Sequence, residues 1–149
     1  MEGWADKFGF PEEGMKMTQQ YEGFKSSPYT DTRGVPTIGY GFNMNTNKGL
    51  PNPMTREQAQ PILQQQYSKA VNDAINYSGE QWYALSPQQQ MIIVDMAYNL
   101  GGAGLGGFKD MQANIKSLNF KDVPNDMKNS NWYGQVGNRS KEHIQNWNK

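Results

Sequence analysis

The chain has 149 residues, no cysteine, one histidine (His143) and fourteen basic against fourteen acidic side chains, so its formal net charge is zero. The absence of cysteine excludes disulfides and thiolate chemistry, and one histidine excludes a multi-histidine metal site, so we expect no metal and no cofactor. The balanced charge argues against a nucleic-acid partner, because such proteins usually carry a basic excess.

The N-terminal region is predicted to hold a short extra element in residues 1–10, followed by a helix that begins at Pro11. Proline is favoured in the first turn of a helix. Met17, Tyr21 and Phe24 follow at helical spacing and are expected to form its buried stripe. Residues 1–10 have no basic segment followed by an apolar one, so we expect a cytosolic product without a secretory signal.

A β-hairpin is predicted between residues 27 and 43. Threonine, tyrosine and valine replace helix formers there, and Arg33-Gly34 stands between two short strand-like runs. Pro36 is expected on a sheet edge or at a strand end, because proline has no backbone N–H to donate. Residues 44–54 are rich in Asn, Gly and Pro and are predicted to be a loop.

Helices are predicted to dominate the rest of the chain. Thr55 and Ser86 each precede a glutamine by three residues, which is capping-box spacing. The first of these helices is expected to be kinked or delayed at Pro61. The second is predicted over residues 87–100, apolar nearly all round, with Gly101 as its stop. Shorter helical patterns cover residues 108–117, 120–128, 131–136 and 138–147.

The fold class indicated by these elements is α+β and mainly helical. We expect a single domain (1–149) with a small hairpin lobe (about 11–55), a connecting helix (about 56–78) and a helical lobe (about 80–149) on the two sides of a cleft. The most apolar run, residues 91–100, contains Asp95 and Asn99 and is too short and too polar to cross a bilayer. We therefore expect no stable membrane insertion.

Two carboxylates with different surroundings stand out in residues 21–43. Glu22 is predicted near the end of the first helix, between aromatic residues, and both features should raise its pKa. Asp31 is predicted in a polar turn, where the ionised form is comfortable. Two carboxyl groups whose pKa values are separated in this way are suited to general acid and general base roles, although such residues are more often simply solvated.

Three motifs resemble the phage-type lysozymes in the same order. Glu22, Asp31 and Thr37 follow the pattern E-x8-D-x5-T and run into the strand TIGYG. The glycine-rich segment NLGGAGLGGF, which begins at Asn99, is similar to the family's turn after the central helix. The segment WYGQVGNR, which begins at Trp132, resembles the third family motif.

This resemblance implies a lysozyme-like fold and hydrolysis of bacterial peptidoglycan between N-acetylmuramic acid and N-acetylglucosamine. Glu22 would be the general acid, Asp31 would activate a water molecule on the opposite face of the sugar, and Thr37 would help to hold that water. The family inverts the configuration at the cleaved carbon, which needs room for one water beside the base.

The resemblance also implies substrate-binding residues. Asn99, Trp132 and Gln135 match positions that line the family's cleft, and Arg139, grouped with them, would pair with Glu22. That pair would favour the charged carboxylate and oppose the other influences on the pKa of Glu22, so the direction of the shift stays open. His143 is expected on a helix surface.

Two alternatives to the lysozyme hypothesis remain. A lytic transglycosylase would need Glu22 but would yield anhydromuramic products. A non-catalytic wall-binding virion module would keep the fold without the reaction. The sequence predicts a monomer, either released from the host cytoplasm to the periplasm or carried in the virion as one domain of a larger protein.

Overall fold

A computed structural model describes residues 11–149, and within this range the chain is mainly helical with one three-stranded antiparallel sheet. This confirms the predicted α+β, lysozyme-like fold class. Two short 3-10 helices cover Gly79–Ala84 and Phe120–Asp122. The other elements, in chain order, are α1 (Pro11–Glu22), β1 (Lys25–Thr30), β2 (Pro36–Gly39), β3 (Phe42–Asn43), α2 (Arg56–Ser78), α3 (Pro87–Gly106), α4 (Lys109–Lys116), α5 (Val123–Lys128), α6 (Asn131–Gln135) and α7 (Asn138–Asn146).

The sheet has the strand order β1-β2-β3, and Tyr29 pairs with Thr37 in its first hairpin. Pro36 is the first residue of β2, a strand end at which a missing N–H is tolerated. The predicted hairpin is thus confirmed, with an earlier start and a further short strand, β3. Its turn places Asp31 beside the end of β1, close in space to the C-terminus of α1.

The two predicted capping boxes are present. The hydroxyls of Thr55 and Ser86 accept the backbone N–H of Gln58 and Gln89, whose side chains in turn accept the N–H of the capping residue. Pro61 lies inside α2 without delaying its start, because the capping box fixes the first turn at Arg56.

The central helix differs from its predicted end. Gly101 has φ 76° and ψ 167°, which breaks the helix as expected, but helical turns resume and α3 continues to Gly106. The four later helical patterns all form helices within a few residues of their predicted bounds.

The buried hydrophobic side chains of the described residues form two clusters. The larger one joins α2, α3 and the C-terminal helices, and the smaller one joins the sheet to the start of α2. Met15 and Tyr98 pack against both. We retain the division into two lobes and a connecting helix as a proposal, which these clusters support.

The stripe predicted for α1 is displaced by one residue. Met17, Tyr21 and Phe24 are half-buried, whereas Thr18 is fully buried and its hydroxyl donates to Asp95 at 2.7 Å. The extra element predicted in residues 1–10 lies outside the described residues. Within residues 11–149, no helix combines the length and the apolar character needed to span a membrane.

Candidate active site

A cleft with a volume of about 1040 Å³ lies between the sheet and the helices. Its walls come from the end of α1, the β1–β2 turn, α2, the C-terminal half of α3 and the start of α7. Six of the seven residues singled out from the sequence line it: Glu22, Asp31, Thr37, Asn99, Gln135 and Arg139. The seventh, Trp132, does not.

Glu22 is the last residue of α1, and its side chain is 11% exposed. Arg139 Nη1 donates to its Oε2 at 2.8 Å. Burial raises the pKa of Glu22, and the Arg139 guanidinium opposes this without cancelling it. The competition between burial and Arg139, which the sequence left open, is therefore won by burial, and the pKa of Glu22 lies above its ordinary value.

Asp31 is more open than Glu22, with 26% of its side chain exposed. Its Oδ1 accepts two backbone N–H groups of the turn, from Arg33 at 2.8 Å and from Val35 at 2.9 Å. These bonds fix the carboxylate in one orientation. Its Oδ2 lies 4.0 Å from Arg33 Nη2, too far for a hydrogen bond, so this oxygen remains available for another donor.

Thr37 lies in β2, opposite Tyr29, and its hydroxyl donates to the carbonyl of Val35 at 2.7 Å. A hydroxyl has one donor and two acceptor sites. With its hydrogen used in this way, the Thr37 oxygen is restricted to accepting hydrogen bonds from whatever occupies the cleft.

Trp132 requires a correction. Its side chain is 2% exposed and belongs to the larger hydrophobic cluster, so little of its ring is available for stacking on a sugar. Its indole N–H donates to Asn99 Oδ1 at 2.9 Å. Trp132 therefore orients Asn99, whose amide NH₂ is left as a donor group at the cleft. Trp132 also borders a side cavity of about 580 Å³, which Arg33, Leu100 and Gln135 share with the cleft.

Arg139 forms the predicted pair with Glu22, but its grouping with the substrate-binding residues and the predicted surface position of His143 both need correction. Arg139 is buried, and beyond its bond to Glu22 it donates from Nε and Nη2 to Asp95, each at 2.8 Å. A guanidinium held by two carboxylates has little freedom to bind substrate. His143 is 1% exposed and contacts Asp95 Oδ2 at 2.6 Å, so it is a core residue and not a surface one.

Asp95 and Gly41 are the residues of this site that the sequence analysis missed. Asp95 is 0% exposed, and burial would raise its pKa, but Arg139 and His143 hold that pKa below the ordinary value. Gly41 faces the carboxylate of Glu22. A charged residue inside the apolar run 91–100 was a usable signal, because a buried carboxylate needs a partner.

A metal ion has no evident ligand set in the part of the chain that the structure describes. Among residues 11–149, no three histidine or acidic side chains are grouped so that they could hold one.

Comparison with known proteins agrees with the motifs. The sequence profile of the phage lysozyme family matches residues 19–145, which include every residue named in this subsection. The chain is also similar to the pre-baseplate central spike protein Gp5 of Enterobacteria phage T4, with 25% identity over 147 residues. That match covers 84% of this chain and 26% of the spike protein, so the chain spans about a quarter of that relative. Since the profile match covers most of its length, the chain belongs to the phage lysozyme family.

Proposed function

We propose that this protein hydrolyses the glycosidic bond between N-acetylmuramic acid and N-acetylglucosamine in bacterial peptidoglycan. Membership of the phage lysozyme family supports a peptidoglycan hydrolase in general. The observation that carries the finer proposal is the pairing of a buried Glu22 of raised pKa with an oriented Asp31 in one cleft.

Glu22 supplies the proton in this reaction. Burial favours its neutral form, and Arg139 Nη1 holds Oε2, which fixes the carboxyl group in the cleft. The proton passes to the glycosidic oxygen as the bond between that oxygen and the anomeric carbon breaks.

Asp31 and Thr37 orient the attacking water. Asp31 Oδ2 and the Thr37 oxygen both accept, so one water donates a hydrogen to each and directs a lone pair at the anomeric carbon. As the new carbon–oxygen bond forms, the water proton transfers to Asp31. Attack on the face opposite the leaving group inverts the configuration, in keeping with an acid and a base separated by one water.

The setting of this activity is proposed from the spike-protein relative. A match that spans about a quarter of a virion protein favours a wall-degrading module carried in the virion, with peptidoglycan as its partner. A freely released lysozyme that passes from the host cytoplasm to the periplasm is the alternative. Infection of cells with virions that lack the module separates the two. A virion module is needed at entry, so these virions should infect poorly, whereas a released lysozyme is needed only at exit, so they should enter normally.

The test of the activity is a zymogram on purified peptidoglycan with product masses, the parent protein beside Glu22→Gln. The proposal requires clearing by the parent, muropeptides that each gain one water, and no clearing by the variant. Anhydromuramic products would identify a lytic transglycosylase instead. Binding of the parent to peptidoglycan without any clearing would identify a non-catalytic wall-binding module.

A further inference from the structure

A second buried carboxylate lies directly behind Glu22. Asp95, in α3, does not line the cleft, and four donor atoms surround it. Thr18 Oγ1 lies at 2.7 Å, Arg139 Nε and Nη2 at 2.8 Å each, and His143 Nε2 at 2.6 Å. A charged group without solvent exposure requires such partners, but their arrangement has a consequence for Arg139.

Arg139 donates two hydrogen bonds to Asp95 and one to Glu22. Its Nε and Nη2 edge forms a bidentate pair with Asp95, which fixes the plane of the guanidinium. Nη1 alone reaches Glu22. If Asp95 did not occupy that edge, the same two donors would be free to turn towards Glu22 and bind it as an ionised carboxylate.

We propose that Asp95 is a positioning residue for the glycosidase reaction: by occupying the bidentate edge of Arg139, it leaves Glu22 a single hydrogen bond and a shared positive charge. The carboxyl group of Glu22 is thereby held in place and is still able to carry a proton. This inference rests on the proposed function, since it assigns a task to Asp95 within that reaction.

The charges around Glu22 act in the same direction. Burial raises the pKa of Glu22, Arg139 lowers it, and the negative charges of Asp95 and Asp31 raise it. Asp95 thus offsets part of the influence of Arg139. The titratable and charged groups that line the cleft or contact this cluster come from five parts of the fold: Tyr21 from α1, Tyr29, Asp31 and Arg33 from the hairpin, Lys69 and Asp73 from α2, Tyr98 and Asp95 from α3, and Arg139, Glu142 and His143 from α7.

The experiment compares the parent, Asp95→Asn and Arg139→Gln by two measurements: the pH dependence of muropeptide release at low substrate concentration, and the carbon-13 NMR titration of the Glu22 carboxyl group. In Asp95→Asn, the alkaline limb of activity and the Glu22 titration should both move down by about one pH unit. At pH values above the alkaline limb, activity should then fall about tenfold, whereas at pH values well below the limb it is retained. In Arg139→Gln, both should move up.

A purely structural role for Asp95 predicts a different result. Ile115→Ala serves as the matched control, because it creates a cavity at a buried residue of α4 that does not line the cleft. It should lower the melting temperature and leave the alkaline limb of the activity profile at the same pH. If Asp95→Asn reduces activity equally at every pH and leaves the Glu22 titration in place, as this control does, the proposal is overturned.

A double variant covers the case in which Asp95→Asn does not fold. In Asp95→Asn combined with Arg139→Gln, both members of the buried ion pair are neutral, so neither leaves an uncompensated charge on the other. If Asp95 offsets part of the influence of Arg139, Glu22 in this double variant titrates at a lower pH than in Arg139→Gln alone, and an equal or higher titration would overturn the proposal. Because the titration needs no turnover, it tests Asp95 even if the parent releases no muropeptide, in which case the proposed function alone would fail.

Discussion

The backbone of Gly41 lies against the carboxylate of Glu22. A Cβ atom placed on Gly41 would lie 2.0 Å from Glu22 Oε1, far inside contact distance, and the φ of Gly41 is +76°. The residue after Tyr40 therefore has to be a glycine for two reasons, one conformational and one steric. Its missing side chain provides the space in which Glu22 is buried.

Gly41→Ala should displace Glu22 and reduce wall lysis by at least about tenfold, since small misplacements of catalytic groups are costly. Gly49→Ala is the matched control: its φ is +78°, but among the described residues no atom lies within 4 Å of the added Cβ. Turbidity loss on chloroform-treated Gram-negative cells measures both variants. An equal loss of activity in the two would assign the effect to backbone strain and not to Glu22.

Glu22→Gln should abolish wall lysis while the fold persists, because the amide accepts the bond from Arg139 but has no proton to transfer. Far-ultraviolet circular dichroism checks the fold, and turbidity loss checks the activity. Lysis equal to that of the parent would remove Glu22 from the mechanism.

The same substitution should stabilise the protein at neutral pH. The pKa of Glu22 is raised in the folded state, so its contribution to stability is full below the ordinary carboxyl pKa and is lost as pH rises through the raised value. Glutamine does not titrate. The melting temperature of Glu22→Gln should therefore exceed that of the parent at pH 7 and approach it at low pH, as differential scanning fluorimetry can follow; a gap that widens towards low pH would contradict this.

Asp31→Asn should lose activity by about 10²–10⁴-fold. The amide oxygen still accepts the two turn N–H groups, so the loop keeps its shape, but the amide nitrogen in place of Oδ2 cannot accept a proton from water. Muropeptide release measures the loss, and an unchanged melting temperature shows that the turn is intact. Near-parental release would mean that another group activates the water.

Thr37→Val and Thr37→Ser form a matched pair. Serine keeps an oxygen that donates to Val35 and accepts from the cleft, whereas valine keeps the shape and removes the oxygen. We expect the serine variant to retain most of the activity and the valine variant to lose it about tenfold or more. Equal rates of muropeptide release in both variants would show that the hydroxyl has no part in holding the water.

Local patterns predicted the elements of this fold well because their causes are local. The capping boxes at Thr55 and Ser86 depend on residues three positions apart, and the helix break at Gly101 depends on one backbone conformation. The convergence of Glu22, Asp31 and Thr37 on one cleft was expected from motif resemblance, because their spacing in sequence does not determine it.

The buried polar network could not be predicted in the same way. Asp95 and Arg139 are 44 positions apart, and Asp95 and His143 are 48 apart, so no sequence periodicity relates them. His143 was expected on a helix surface. Its burial follows from Asp95, whose charge inside α3 needs donors from a distant helix.

Arg33 Nη2, in the turn that carries Asp31, donates to the backbone carbonyl of Asn99 in α3 at 2.8 Å, and its side chain borders both the cleft and the side cavity. This exposed hydrogen bond joins the β1–β2 turn to α3 beside the cleft and contributes about 1 kcal/mol. In the proposed reaction, a peptidoglycan strand that enters the cleft from the side would have to break this hydrogen bond, which costs little. We therefore expect the proposed hydrolase to accept a strand along its middle, without a free end.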